Sequence, residues 1–198
     1  MSETVTTPKD ATGAIGPGRL VLVVGPSGAG KDTLLRLAQA ACADDQDVVF
    51  PRRVVTRASS ADEDNIAVSP IEFARSRDHG EFAVHWDAHG HSYALPLEIN
   101  DDIRAGRAVV ANVSRTVIGA LRQAYANVVV VAITAPPDVL AQRLAARARN
   151  SDGNIADRLA RSVDDASANA DVTILNAGSA DYHSRQLVRV IRNECWCE

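Results

Sequence analysis

Leu20-Val21-Leu22-Val23-Val24-Gly25-Pro26-Ser27-Gly28-Ala29-Gly30-Lys31-Asp32-Thr33-Leu34-Leu35 runs from an unbroken apolar stretch through a glycine loop into a segment with helical spacing. Strand, glycine loop and helix in that order make a phosphate-binding P-loop. Glycines at 25, 28 and 30 let the backbone wrap a polyphosphate, turning successive N–H groups toward its oxygens at the positive end of a helix. Lys31 reaches the β- and γ-phosphates, so Gly25, Pro26, Ser27, Gly28, Ala29, Gly30, Lys31, Asp32 and Thr33 are the expected nucleotide-binding residues.

One letter departs from the motif. Where Ser or Thr would hold a magnesium ion, the chain has Asp32, followed by Thr33. A carboxylate beside a triphosphate repels it unless a cation lies between them, which makes Asp32 a candidate Mg2+ ligand, direct or through water. The alternative is that Asp32 merely complements the helix dipole and Thr33 serves the metal.

The chain has 198 residues, 46% of them hydrophobic, which suits one α/β domain with small insertions. Its net charge of −4 gives no bulk attraction to nucleic acid, yet arginine far outnumbers lysine and clusters locally, a pattern suited to small anions. Cys42, Cys195 and Cys197 are too few for a disulfide framework and lack zinc-ligand partners. A reducing, cytoplasmic setting follows, and Cys195-Trp196-Cys197 reads as a frayed tail. Residues 1–18 read as a flexible leader without a signal-peptide core. No stretch of about 20 apolar residues predicts a membrane span.

Beyond the loop, the pattern predicts a helix over about 31–43, a short strand near 48–50, and strands over 107–112, 127–133 and 172–175. Helices are predicted over about 115–125, 137–149, a stretch ending near 168, and 180–193. Strands alternating with helices imply a parallel sheet covered on both faces. Residues 58–98 lose the apolar rhythm and read as an insertion over a site, with one capped helix beginning Ser69-Pro70-Ile71-Glu72.

Phosphoryl transfer is mainly positioning and charge neutralisation, so it needs cations on both the donor and acceptor sides. Arg53 and Arg57 stand at the mouth of the insertion, where forked guanidiniums suit an acceptor phosphate. Arg143, Arg147 and Arg149, with Arg158 and Arg161, flank residues 150–154 in a pattern like a closing lid over about 143–161. The alternative for this set is a solvated basic face making weak surface ion pairs.

The Gly-Pro-Ser-Gly-Ala-Gly-Lys loop, Thr56-Arg57, the Phe82, Trp86, Gly90, Tyr93 series and the arginine-rich stretch together resemble the guanylate kinase-like superfamily. Gly30-Lys31-Asp32, Arg53-Val54-Val55-Thr56-Arg57, Glu63-Asp64-Asn65-Ile66-Ala67-Val68-Ser69, Trp86-Asp87-Ala88-His89-Gly90-His91-Ser92-Tyr93 and Leu144-Ala145-Ala146-Arg147-Ala148-Arg149 are more similar to ribose 1,5-bisphosphate phosphokinases. The resemblance covers residues 19–192. It implies an α/β P-loop NTPase three-layer sandwich with an acceptor-binding insertion over about 53–98. It also implies Lys31, Arg57, Arg147 and Arg158 as catalytic residues, and Arg53, Arg57, Glu63, Tyr93 and Asn112 as acceptor-binding ones.

Differences from guanylate kinases carry chemistry. Their guanine-reading glutamate, placed just before the tryptophan, matches His85; a serine of theirs matches Arg53; and their second acceptor arginine falls on Ser60. A carboxylate is lost and a cation gained, which suits an acceptor rich in phosphate and lacking a purine. Asn112 stands where an aspartate of the metal site is expected, leaving Asp32 to supply a carboxylate. No general base is evident, consistent with a phosphate acceptor whose second pKa near 6 leaves it largely dianionic at pH 7. His85, His89 and His91 read as surface or hydrogen-bonding residues, Trp86 as core, and Ala94, where relatives have glycine, as a mild change unless φ is positive there. The implied reaction makes 5-phosphoribosyl 1-diphosphate and ADP from ATP and ribose 1,5-bisphosphate with Mg2+. The alternatives are a guanylate or other nucleoside monophosphate kinase and a non-catalytic binding module. The partner is a small phosphosugar, without nucleic acid or membrane; monomer and homodimer are left open.

Overall fold

A computed structural model describes residues 13–57, 64–148 and 170–194. In chain order its elements are β1 (Arg19–Val24), α1 (Lys31–Ala41), β2 (Val48–Val49), β3 (Arg53–Val55), β4 (Asn65–Ala67) and α2 (Pro70–Asp78). β5 (Phe82–Ala88), β6 (His91–Pro96), α3 (Ile99–Arg104) and β7 (Ala108–Asn112) follow. A 3-10 turn (Arg115–Val117), α4 (Ile118–Ala124), β8 (Val128–Thr134), α5 (Pro137–Ala148), β9 (Val172–Leu175) and α6 (Ala180–Arg192) complete the series. These residues form two compact units, one within Met1–Leu22 and Asp45–Val128, the other within Val23–Asp44 and Val129–Glu198.

In the first unit the strand order is β2-β7-β1, with β2 and β7 parallel in the register Val48↔Ala108. A second sheet has the order β4-β3-β6-β5, in which β3 runs parallel to β4 and β6 is antiparallel to both β3 and β5. In the second unit the order is β1-β8-β9, with β8 and β9 parallel in the register Val131↔Val172, and α1 packs against α6. The α/β fold with a parallel sheet is as expected. Leu20 to Val23 are wholly buried because such a strand is covered on both faces, hence its unbroken apolar run. Burying each of these side chains contributes about 1.5–3 kcal/mol.

Most predicted elements are present within a residue or two: the first helix ends at Ala41, the segment over 115–125 divides into a 3-10 turn and α4, and β9 matches in full. The capping box at α2 is complete. Ser69 N–H donates to Glu72 Oε2 at 2.8 Å, Glu72 N–H donates to Ser69 Oγ at 3.2 Å, and Pro70 occupies the first helical position. The predicted helix ending near 168 lies outside the described residues.

β3, β4, β5, β6 and α3 are what the sequence reading missed. In β5, Phe82 to Trp86 are all buried, so the strand shows no polar alternation, and its histidine and tryptophan disguise a core strand as a polar stretch. Within residues 1–18, read as a leader, Ile15 is buried. Its N–H donates to the Ala124 carbonyl at 2.8 Å and its carbonyl accepts from Ala126 at 2.8 Å, so packed chain begins ahead of β1.

Candidate functional site

The expected phosphate loop is the turn between β1 and α1. Gly25, Gly28 and Gly30 have φ of 145°, 87° and 88°, a region that side chains rarely enter. Two of them are also sterically committed: a Cβ on Gly25 would fall on the backbone carbonyl of Ile133, and one on Gly30 would fall on the Asn176 amide nitrogen. Lys31 Nζ donates to the carbonyls of Gly25 at 2.8 Å and Pro26 at 2.9 Å, which holds the ammonium inside the loop.

Two further side chains grip the loop from outside. Asn176, buried just past β9, donates from Nδ2 to the Ala29 carbonyl at 2.8 Å. Arg143 donates from Nη1 to the Gly28 carbonyl at 3.3 Å and from Nη2 to the Asn176 carbonyl at 3.4 Å. Because the N–H and C=O of a trans peptide point in opposite directions, holding the Ala29 carbonyl outward turns the Gly30 amide inward, while the Ala29 N–H donates to the Pro26 carbonyl at 3.3 Å. The inward orientation is the one a phosphate requires. Sequence reading missed Asn176 altogether, since nothing marks a lone asparagine after a strand, and it grouped Arg143 with the lid. The side chain of Arg147, and all of Arg149, Arg158 and Arg161, lie outside the described residues.

Asp32 and Thr33 sit in the first turn of α1, after Gly30 as its N-cap. One carboxylate and one hydroxyl there, with no cluster of three His, Cys, Asp or Glu among the described residues, fit a magnesium ion held largely by substrate phosphates.

A second cluster, on the residues expected to bind the acceptor, is built on the second sheet. Arg53 donates from Nε to Asn65 Oδ1 at 3.2 Å and from Nη1 to the Asn112 carbonyl at 3.3 Å. Asn65 is buried and lies opposite Arg53 in the β3/β4 register. Thr56 is tied to β6 twice, N–H to the Ser92 carbonyl at 3.0 Å and Oγ1 from the Ser92 N–H at 2.8 Å, which fixes where Arg57 leaves the sheet. Both guanidiniums then lie over the Tyr93 ring, each 6.0 Å from its centroid, in cation–π range. Tyr93 is itself stacked on Trp86, with centroids 5.7 Å apart and planes inclined by 10°. Arg53, Arg57, Tyr93 and the Asn112 carbonyl are thus brought together. Glu63 and Ser60 lie outside the described residues.

His85 requires a correction. Side chains alternate faces along a strand and cross-strand partners share one, so His85, paired with Ala94 and through it with Val54, faces away from the Trp86 and Tyr93 side. Val54 and Ala94 cluster with Phe73 of α2, the side on which His85 is buried. The histidine is therefore neither a surface group nor a substitute for a base-reading carboxylate. Ala94 is an ordinary strand residue without positive φ, so the loss of glycine strains nothing.

Burial, reinforced by Arg77, lowers the His85 pKa and outweighs the opposing pull of Asp87. The folded state then binds fewer protons than the unfolded state below about pH 6.5, so stability falls as pH drops through that value and is unaffected above it. His85→Gln is expected to flatten the loss of urea midpoint between pH 6.5 and 5; an unchanged slope would contradict this.

A parallel α/β sheet whose first strand opens through a lysine-bearing glycine loop onto a helix defines a P-loop kinase. A family model described as an AAA domain matches residues 20–173. The chain is 86% identical to the ribose 1,5-bisphosphate phosphokinase PhnN of Bradyrhizobium diazoefficiens across 100% of both chains. It is 62% identical to that of Rhodopseudomonas palustris over 93% of this chain and 94% of the other. A guanylate kinase crystal structure from Anaplasma phagocytophilum shares the fold, with TM-score 0.61 and 20% identity over 93% of this chain and 89% of that one. The chain belongs to the ribose 1,5-bisphosphate phosphokinase PhnN family.

Proposed function

We propose that this protein transfers the γ-phosphoryl group of ATP to the 1-phosphate of ribose 1,5-bisphosphate, giving 5-phosphoribosyl 1-diphosphate and ADP. The observation that carries the choice of acceptor is the pair of guanidiniums over Tyr93, on a sheet face with no carboxylate among the described residues. β5 and β6 place Val84, Trp86, Tyr93 and Leu95 on that face. Such a surface recognises phosphate and excludes a purine-specific contact.

The acceptor oxygen belongs to a phosphate monoester that is already anionic at neutral pH, so alignment and charge compensation replace a general base. Lys31 and the loop amides hold the donor polyphosphate, while Arg53, Arg57 and Tyr93 orient the acceptor. Asp32, with Thr33, would hold magnesium, which supplies charge neutralisation on the β- and γ-phosphates. Arg147 and Arg158 complete the cationic set as lid residues. Residues 19–198 act as one kinase domain, at work in the cytoplasm on a small phosphosugar. Product formation serves 5-phosphoribosyl 1-diphosphate supply during phosphonate use.

An acceptor screen with phosphorus NMR tests the reading. Ribose 1,5-bisphosphate is expected to give ADP and a new diphosphate at the anomeric carbon; ADP formation with GMP and none with the bisphosphate would overturn it in favour of a nucleoside monophosphate kinase. Absence of ATP binding with magnesium present would instead indicate a binding module. In the same assay Arg57→Ala is expected to raise the acceptor KM by about 10–100-fold, as losing charge-assisted hydrogen bonds implies. Asp32→Ser is expected to raise the Mg2+ concentration needed for half-maximal rate, and an unchanged requirement would remove Asp32 from the metal site.

A further inference from the structure

We propose that Arg115 is a third cation of the acceptor site, held for a phosphate of the phosphosugar and not for any group of the protein; this rests on the acceptor reading above. Arg115 opens the 3-10 turn three residues past Asn112, whose carbonyl anchors Arg53. Ser114 caps that turn, its Oγ accepting from the Thr116 N–H at 3.4 Å and from Thr116 Oγ1 at 2.9 Å. Val113 and Val117, both buried, fix the backbone on either side, and the turn packs against β5, the strand that carries Trp86. The turn that carries the residue therefore packs against the sheet that bears Arg53 and Tyr93.

Its Nη1 is buried and has no hydrogen-bond partner among the described residues. A guanidinium is always charged, and a buried donor on a cation is costly to leave unmet. Natural proteins keep such groups where something else meets them. Arg107 also has a buried Nε without a hydrogen-bond partner among the described residues, but it stands just before β7 and is paired with Asp102. Arg115 lies past the carboxyl end of β7, the side of an open α/β sheet where ligands bind. Charge points the same way: a sugar bisphosphate near neutral pH carries close to four negative charges, and Arg53 with Arg57 supplies two positive ones.

The test compares Arg115→Met and Arg115→Lys with wild type and Arg57→Ala. Arg115→Met is expected to leave the thermal midpoint of the ligand-free protein unchanged or higher, because a buried donor without a partner among the described residues is removed. It is expected to raise the KM for ribose 1,5-bisphosphate at least tenfold, leave the KM for ATP within twofold, and abolish the upward midpoint shift produced by ribose 1,5-bisphosphate. Arg115→Lys is expected to recover part of that shift. An Arg115→Met protein that fails to fold or melts several degrees lower without ligand would show a structural role and overturn the proposal, as would an unchanged acceptor KM. If Arg57→Ala raises the acceptor KM and Arg115→Met does not, the Arg115 proposal alone falls; if neither does, the acceptor reading itself falls.

Discussion

Gly25→Ala is expected to destabilise the fold by about 2–6 kcal/mol and to eliminate measurable ATP binding. Two independent costs add at this position. The backbone has φ of 145°, which only glycine adopts without strain, a penalty of about 1–3 kcal/mol for any other residue. The added methyl would also occupy the space of the Ile133 carbonyl oxygen. That oxygen cannot give way as a flexible side chain would, because Val130 to Ile133 of β8 are fully buried, and forcing extra volume into a packed core costs about 1–3 kcal/mol more. Against a typical total of about 5–15 kcal/mol, the sum is severe. Relief by shifting the loop would carry away the Gly25 carbonyl that accepts from Lys31 Nζ. Urea unfolding together with ATP titration measures both effects. Gly119→Ala is the control: it is helical, has free space at Cβ and no positive φ, so it is expected to be neutral or stabilising by up to about 1 kcal/mol. A Gly25→Ala midpoint equal to that of Gly119→Ala would show that the loop geometry described here is wrong.

The donor half was legible in sequence and the supports of the acceptor half were not, for a physical reason. Glycine spacing reports backbone conformation directly, so Gly25, Gly28 and Gly30 could be assigned to a phosphate loop from their order alone. The acceptor half depends on which face of β5 and β6 each residue occupies, and a single bulge between Phe82 and Val84 sets that phase. His85 read as a surface or hydrogen-bonding residue of a polar insertion; the register buries it on the α2 side. Asn65 and Asn176 were invisible for another reason. Each acts on an atom distant in the chain, Arg53 Nε and the Ala29 carbonyl respectively, and single-sequence periodicity contains no information about such partners. Arg143 was marked as one of a cluster, but its contact with the Gly28 carbonyl was not foreseen.

Lys31→Met is expected to lower kcat by at least about 10²–10³, the range for removing one preorganised charge stabiliser from a transition state. The free protein is expected to lose only about 1–2 kcal/mol, since the lysine contributes two hydrogen bonds to the loop carbonyls of Gly25 and Pro26. The separation of these two effects is the informative part. The ammonium donates to the loop carbonyls of Gly25 and Pro26; a polyphosphate offers it anionic oxygens, a stronger partner than neutral carbonyls. The same cation thus holds the loop and strengthens its interaction as negative charge moves onto the bridging oxygen of the leaving ADP. Lys31→Arg keeps the charge but replaces a compact ammonium with a planar fork too wide for a cradle closed by Gly28 and Gly30. It is therefore expected to recover stability without recovering kcat. A Lys31→Met enzyme within tenfold of wild-type kcat would mean that the loop binds phosphate without taking part in its transfer, and the kinase reading would have to give way to that of a binding module.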